Sequence, residues 1–156
     1  MTTHILTSSA ILDAPVNEVF GTITDLTRLP EWNTAITAVI EQPDHLEIGA
    51  QWVVAIHALG QSWHSRSELE ELDLAKRRFT YRSVTDDGNP SHAVWTWQVS
   101  DQSEGTLVIV TVELHPRTFW RRVLLIRIRS RQLAHSELPG SLTALETATR
   151  GSSPRR

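Results

Sequence analysis

The chain has no cysteine in its 156 residues. That absence excludes a disulfide framework, a thiolate metal site and a cysteine nucleophile, and it favours an intracellular setting. Long apolar runs are missing as well. No segment holds enough uninterrupted apolar residues to cross a bilayer, and the N-terminal MTTHILTSSAIL lacks the basic region and continuous hydrophobic stretch of a signal peptide. A cytoplasmic protein without stable membrane insertion is therefore expected. The chain also lacks a glycine-rich phosphate loop, a dinucleotide fingerprint, a nucleophile elbow around its serines, internal repeats and low-complexity segments. No cofactor is expected.

What the chain does contain is an unevenly distributed charge and a substantial apolar fraction. With 40% hydrophobic residues, it suits one domain with a real core. That domain is expected over residues 1–150, with the last residues, GSSPRR, as a disordered tail. The net charge is only −3, but from Pro116 onward nine arginines stand against Glu137 and Glu146, whereas the preceding part carries six basic and sixteen acidic residues. The arginines alternate with Val123, Leu124, Leu125, Ile126 and Ile128. They read as solvated flanks of a buried stripe that docks on an acidic body, in preference to a nucleic-acid or membrane surface. No nucleic-acid partner is expected.

Periodicity divides the chain into short elements. His4 to Leu12 reads as a strand. Pro15 then suits the first position of a helix in which Val16, Val19, Phe20 and Ile23 share a face. A second helical piece, Leu26 to Trp32, contains Pro30, and Ala35 to Glu41 reads as a strand. A meander of about five strands follows: Gln51 to Ala58, Gln61 to Leu72, Arg77 to Val84, His92 to Ser100 and Thr106 to Leu114. Pro116 to Arg150 is the one long candidate helix, and a single helix of that kind needs a sheet to cover its apolar stripe.

The faces of the meander follow from alternation. A turn at Leu59 and Gly60 pairs Ile56 with Trp63, Val54 with Ser65 and Trp52 with Ser67. These residues and Leu69 form the more apolar face and should point inward. Gln51, Val53, Ala55, His57, Ser62, His64, Arg66, Glu68 and Glu70 should meet water. Phe79 and Tyr81 share a face, as do Ala93, Trp95, Trp97 and Val99, and then Val108, Val110, Val112 and Leu114. His57 and His64 lie on the outer hairpin face without a third ligand at a suitable spacing, so no metal site is expected. Asp25 and Glu31 fit capping or solvation better than acid/base work.

The order of strand, two short helices, meander and long C-terminal helix resembles the START-like helix-grip superfamily, which includes polyketide cyclases and dehydratases, lipid-transfer proteins and Bet v 1-like plant proteins. The resemblance is carried by ILDAPVNEVFGTITDLTRLPEWN, by Gly49, and by SELEELDLAKRRFTY, EGTLVIV and ELPGSLTALE. It implies an α+β helix-grip fold, with a curved antiparallel sheet of about seven strands around the C-terminal helix. Two pieces look like the aromatase/cyclases of aromatic polyketide pathways: Trp63, His64, Ser65 and Trp95, Thr96, Trp97. Where those enzymes place a pocket arginine two residues after the serine, this chain has Ser67, and Arg66 falls on the opposite face.

The fold resemblance implies a cavity between the sheet and the helix. Its expected ligand-binding set is Trp32, Trp52, Trp63, Ser65, Ser67, Trp95 and Trp97, with Leu124 and Ile128 from the helix. Large rings would supply stacking area and the serines would leave room for a flat guest; core filling by the same tryptophans is the plain alternative. Tyr81 and His135 are the candidate acid/base groups. His135 falls in the helix stripe with Leu138, Leu142 and Leu145, beside a kink expected at Pro139 and Gly140. A structural histidine is its plain alternative. The implied function is binding of a hydrophobic, aromatic or polyketide-like molecule, with its cyclisation or dehydration or simple carriage as the two outcomes. A homodimer is left open.

Overall fold

In the computed structural model, residues 4–58, 60–85, 91–115 and 138–152 are described. The elements are β1 (His4–Leu12), α1 (Val16–Thr24), a 3-10 turn (Leu26–Arg28), α2 (Leu29–Trp32), β2 (Ile36–Glu41), β3 (Gln51–Ala58), β4 (Gln61–Asp73), β5 (Arg78–Thr85), β6 (His92–Gln102), β7 (Gly105–His115) and α3 (Leu138–Ser152).

Local chemistry accounts for the first helices. Pro15 sits one residue outside α1, with extended backbone angles (φ −65°, ψ 143°), and its carbonyl accepts the first helical bond from Val19 N at 3.0 Å. The proline expected inside the helix is thus its N-cap. Asp25 ends the segment by accepting from Thr27 N at 3.1 Å and Thr27 Oγ1 at 2.6 Å, which turns the chain into the 3-10 segment. Pro30 falls in the first turn of α2, where its missing N–H leaves no gap in the helical ladder. Glu31 takes the surface role expected of it, accepting from Arg28 Nε at 3.0 Å.

All seven strands form one antiparallel sheet in the order β1-β7-β6-β5-β4-β3-β2. Its two edges, β1 and β2, are consecutive in the chain, so α1 and α2 must cross from one edge to the other. They pack with α3, which also touches β1. The sheet curves around this helical layer, helped by irregular pairing in β2 and by a bulge between Leu69 and Glu71 in β4. This is the expected α+β helix-grip arrangement.

The core lies between sheet and helices. Val108, Val110 and Val112 from β7 are fully enclosed with Val19 and Ile23 of α1 and Leu138, Leu142 and Leu145 of α3. The β3–β4 register matches the expected one at every pair: Ile56 with Trp63, Val54 with Ser65, Trp52 with Ser67. One assignment on that hairpin is corrected. Val53 was expected to meet water, yet it is only 2% exposed. It lies on the outer face between Glu41 of β2 and Arg66 of β4, whose side chains approach to 3.5 Å and whose stems shield it from water.

The helix expected over Pro116 to Arg150 is described only from Leu138, and α3 extends to Ser152, two residues past the expected domain boundary. Leu124, Ile128 and His135 lie outside the described residues, as does the His135 carbonyl on which the expected kink depends. At β7, Gly105 adopts φ +143°, and a Cβ there would run into the Leu12 carbonyl oxygen. Only glycine lets the β6–β7 turn approach the end of β1 so closely.

Candidate functional site

The inner sheet face is built from cross-strand rows. In one row Trp52, Ser67, Ser83, Ala93 and Leu114 lie side by side on β3, β4, β5, β6 and β7. The next row places Ser65 between Val54 and Thr85. Ser65, Ser67, Ser83 and Ala93 therefore form one patch of short side chains spanning three strands. A sheet surface that lacks side-chain volume over such a patch is locally depressed.

Aromatic rings bound this patch. The adjoining row runs Leu69, Tyr81, Trp95, Val112, and the one beyond it Leu72, Phe79, Trp97, Val110. Tyr81 is the hub. Its ring lies 5.2 Å from Trp52 in an edge contact, 5.1 Å from Phe79, and 6.2 Å from Trp95 in a nearly parallel stack. Trp52 and Phe79 stack at 6.0 Å. Edge-to-face and offset-stacked pairs suit the ring quadrupoles and contribute about 0.5–1.5 kcal/mol each beyond area burial.

Polar atoms on this wall are mostly paired. Trp97 Nε1 donates to Tyr81 Oη at 3.3 Å, and Trp95 Nε1 donates to Ser83 Oγ at 3.1 Å, which ties the wall to the patch. Because the Tyr81 oxygen accepts from Trp97, its own proton is directed to some other acceptor. Trp32, carried by α2, completes the wall from the helical side, with its ring perpendicular to that of Trp97 (5.1 Å, 89°).

Of the residues expected at the site, Trp52, Ser65, Ser67, Tyr81, Trp95 and Trp97 share the inner face as one contiguous surface, and Trp32 joins them through Trp97. Trp63 is half-buried on the same strand face, opposite Ile56. Trp32, Trp52 and Trp97 are enclosed in the core, whereas Trp95 keeps partial exposure. Sequence reading missed Ser83 and Ala93 as parts of the patch, and Thr85 as the neighbour of Ser65 beside it. Alternation alone puts Ser83 on the Tyr81 side of β5. Its placement beside Ser67 needed the β4–β5 register, which the bulge after Leu69 shifts.

Arg66 is on the outer face, where it reaches Glu41 and Gln51. His57 is exposed and engages Ser62 Oγ at 2.8 Å through Nδ1. Among the described residues, no three histidines or carboxylates lie together as metal ligands. None of the described helices is long and apolar enough to cross a membrane.

A seven-stranded antiparallel sheet gripping a C-terminal helix, with an aromatic inner wall, defines a helix-grip protein. The profile of the family described as "Polyketide cyclase / dehydrase and lipid transport" matches residues 3–134, and the chain belongs to that family. No curated protein matches it. Among solved structures, the Zhui aromatase/cyclase from Streptomyces is similar at TM-score 0.68 and 16% identity, over 96% of this chain and 93% of that one. The di-domain ARO/CYC StfQ of the steffimycin biosynthetic pathway gives TM-score 0.75 and 10% identity, over 96% of this chain and 51% of its own. Ara h 8.0201 gives TM-score 0.72 and 16% identity, over 97% of this chain and 100% of its own. At these identities the likeness is one of fold.

Proposed function

We propose that the protein binds a hydrophobic, aromatic or polyketide-like small molecule against the inner face of its sheet. The observation that carries this reading is the patch of Ser65, Ser67, Ser83 and Ala93 enclosed by Trp52, Tyr81 and Trp95. Rings provide flat contact area, while short hydroxyl-bearing side chains leave volume and hydrogen-bonding capacity for a guest. A face meant only for close packing would carry branched aliphatic side chains across that row, as β7 does at Val108, Val110 and Val112.

Within that reading the protein acts on its ligand as a cyclase or dehydratase. Tyr81 is the proton-transfer candidate on the inner face, since Trp97 holds its oxygen from one side. His135 is the second candidate acid/base group. Orientation of a flexible chain against the aromatic wall would supply much of the rate effect. Carriage without chemistry is the second reading, and it is supported by the lipid-transport half of the family description.

Tryptophan emission tests the binding. Titration with flat aromatic ketones and phenols should quench and shift the fluorescence at saturable, micromolar concentrations; an unresponsive titration across such a panel would overturn the reading. Tyr81→Phe and His135→Ala then separate chemistry from carriage. Turnover of a poly-ketone substrate mimic should fall at least about tenfold in one of them; unchanged turnover in both would remove Tyr81 and His135 as the proton-transfer groups, and a wild type without turnover would assign the protein to carriage.

A further inference from the structure

The two edges of the sheet are unlike. β2 is six residues long, and its pairing with β3 shifts register between Ile36 and Ala38 and again between Val39 and Glu41, so it offers no straight row of backbone groups. β1 is nine residues long and pairs with β7 at every position without a shift. Its sequence, HILTSSAIL, holds no acidic residue, lysine, arginine, proline or glycine. Charge, proline and bulge, the means by which a chain blunts an edge strand from within, are all absent from it.

An antiparallel strand spends only every second residue's N–H and C=O on one neighbour, so the alternate groups of β1 point away from β7. Among the described residues no strand lies beyond them. Ile5 and Ile11, on the outer face of β1, are 61% and 48% exposed, and Thr7 and Ser9 between them are exposed as well. On the core side, Leu6 and Ala10 stay only half-buried.

The order of residues in β1 fits a second copy of itself. With Ser8 on a two-fold axis, antiparallel pairing sets Ile5 against Ile11 of the second copy, Leu6 against Ala10, and Thr7 against Ser9. Apolar meets apolar and hydroxyl meets hydroxyl on both faces. Sliding by two residues, the smallest shift that keeps the faces, sets Ile5 against Ser9 in one direction and against Asp13 in the other. Charge agrees with the matched register. Behind β1, β7 places Leu107 beside Ile11 and Glu113 beside Ile5, so each outer row through the isoleucines holds one carboxylate and no like charges face each other across the junction.

We infer that this chain forms a two-fold dimer in which β1 pairs with β1 of a second copy, joining two seven-stranded sheets into one. The assembly is closed, because each β1 edge is used once and the irregular β2 edge does not propagate it. A junction about 30 Å long and one sheet thick buries on the order of 1,000 Å² in total, the lower bound of a specific interface, so the dimer is reversible and roughly micromolar in strength. The inference is independent of the ligand-binding reading.

Sedimentation of the full chain from about 1 to about 500 µM tests it. The mass should rise with concentration from one chain toward two, and a single-chain mass throughout would overturn the inference. Thr7→Lys puts a charge in the middle of the β1 edge and should weaken association at least about tenfold. Thr37→Lys, at an exposed position of β2, should leave association unchanged. Undiminished association in Thr7→Lys, or equal losses in both variants, would overturn the β1 junction. Ser8→Cys gives this cysteine-free chain a single thiol on the axis, where the Cα atoms of a directly opposed pair stand about 4.5–5.5 Å apart, within disulfide range. Mild oxidation should yield a covalent dimer much faster from Ser8→Cys than from Gln98→Cys, which puts the thiol at an exposed position of β6. Equal rates would overturn the pairing. Should Thr7→Lys fold poorly, the wild-type concentration series and the two oxidation rates decide.

Discussion

Trp97 donates its indole N–H to the Tyr81 hydroxyl at 3.3 Å, joining diagonal positions on β5 and β6 within the inner face. The bond buries two polar groups at once and sets the direction of the Tyr81 oxygen at the centre of four aromatic rings. Tyr81→Phe leaves Trp97 N–H without its acceptor. The expected loss is about 1–3 kcal/mol of unfolding free energy, measured by urea denaturation. The double variant Tyr81→Phe/Trp97→Phe should recover part of it, because both polar partners are then gone.

Filling the small-residue patch should separate packing from binding. In Ser67→Leu the added side chain would occupy the space between Trp52 and Ser83. Ligand-induced fluorescence change should disappear while the thermal midpoint stays within a few degrees of wild type, as for a surface with spare volume. A drop in stability typical of overpacking, about 1–3 kcal/mol, would show that the patch is already filled.

Gly105→Ala tests the turn that brings β7 against β1. The new methyl group meets the Leu12 carbonyl and the backbone holds a positive φ, so both sterics and conformation oppose it. A destabilisation of at least about 1–2 kcal/mol is expected. Hydrogen exchange should accelerate first at the Leu12 end of β1.

Arg28→Met removes a clamp between distant parts of the chain. The guanidinium reaches the Ala148 carbonyl in α3 at 2.8 Å and Glu31 at 3.0 Å. The carbonyl bond should account for most of the effect, roughly 1–2 kcal/mol for a charged donor, because the exposed Glu31 pair contributes little. Glu31→Ala should therefore cost much less than Arg28→Met in the same denaturation assay.

Much of this architecture is legible in the linear chain because strands with one wet face must alternate. His4 to Leu12 and Gln51 to Ala58 end at the residues where alternation and turn chemistry place them. The hairpin register followed from a short turn at Gly60, whose φ of +72° suits glycine. Asp25 could be read as a cap because a side-chain carboxylate two residues from a free N–H acts locally. Val53 could not be read. Its burial depends on Glu41 and Arg66, residues that come beside it only when three strands are paired.

The sequence by itself determined the element order, the inward faces and the aromatic character of the inner wall, since each depends on spacing within a few residues. Only the tertiary structure decided that Ser65, Ser67, Ser83 and Ala93 are neighbours, that Trp32 meets Trp97 at a right angle, and that the Trp32 N–H finds no acceptor among the described residues. Those facts depend on the register across a bulge and on how the helical layer sits on the sheet. Both are set by packing between segments far apart in the chain, where no local periodicity carries the information.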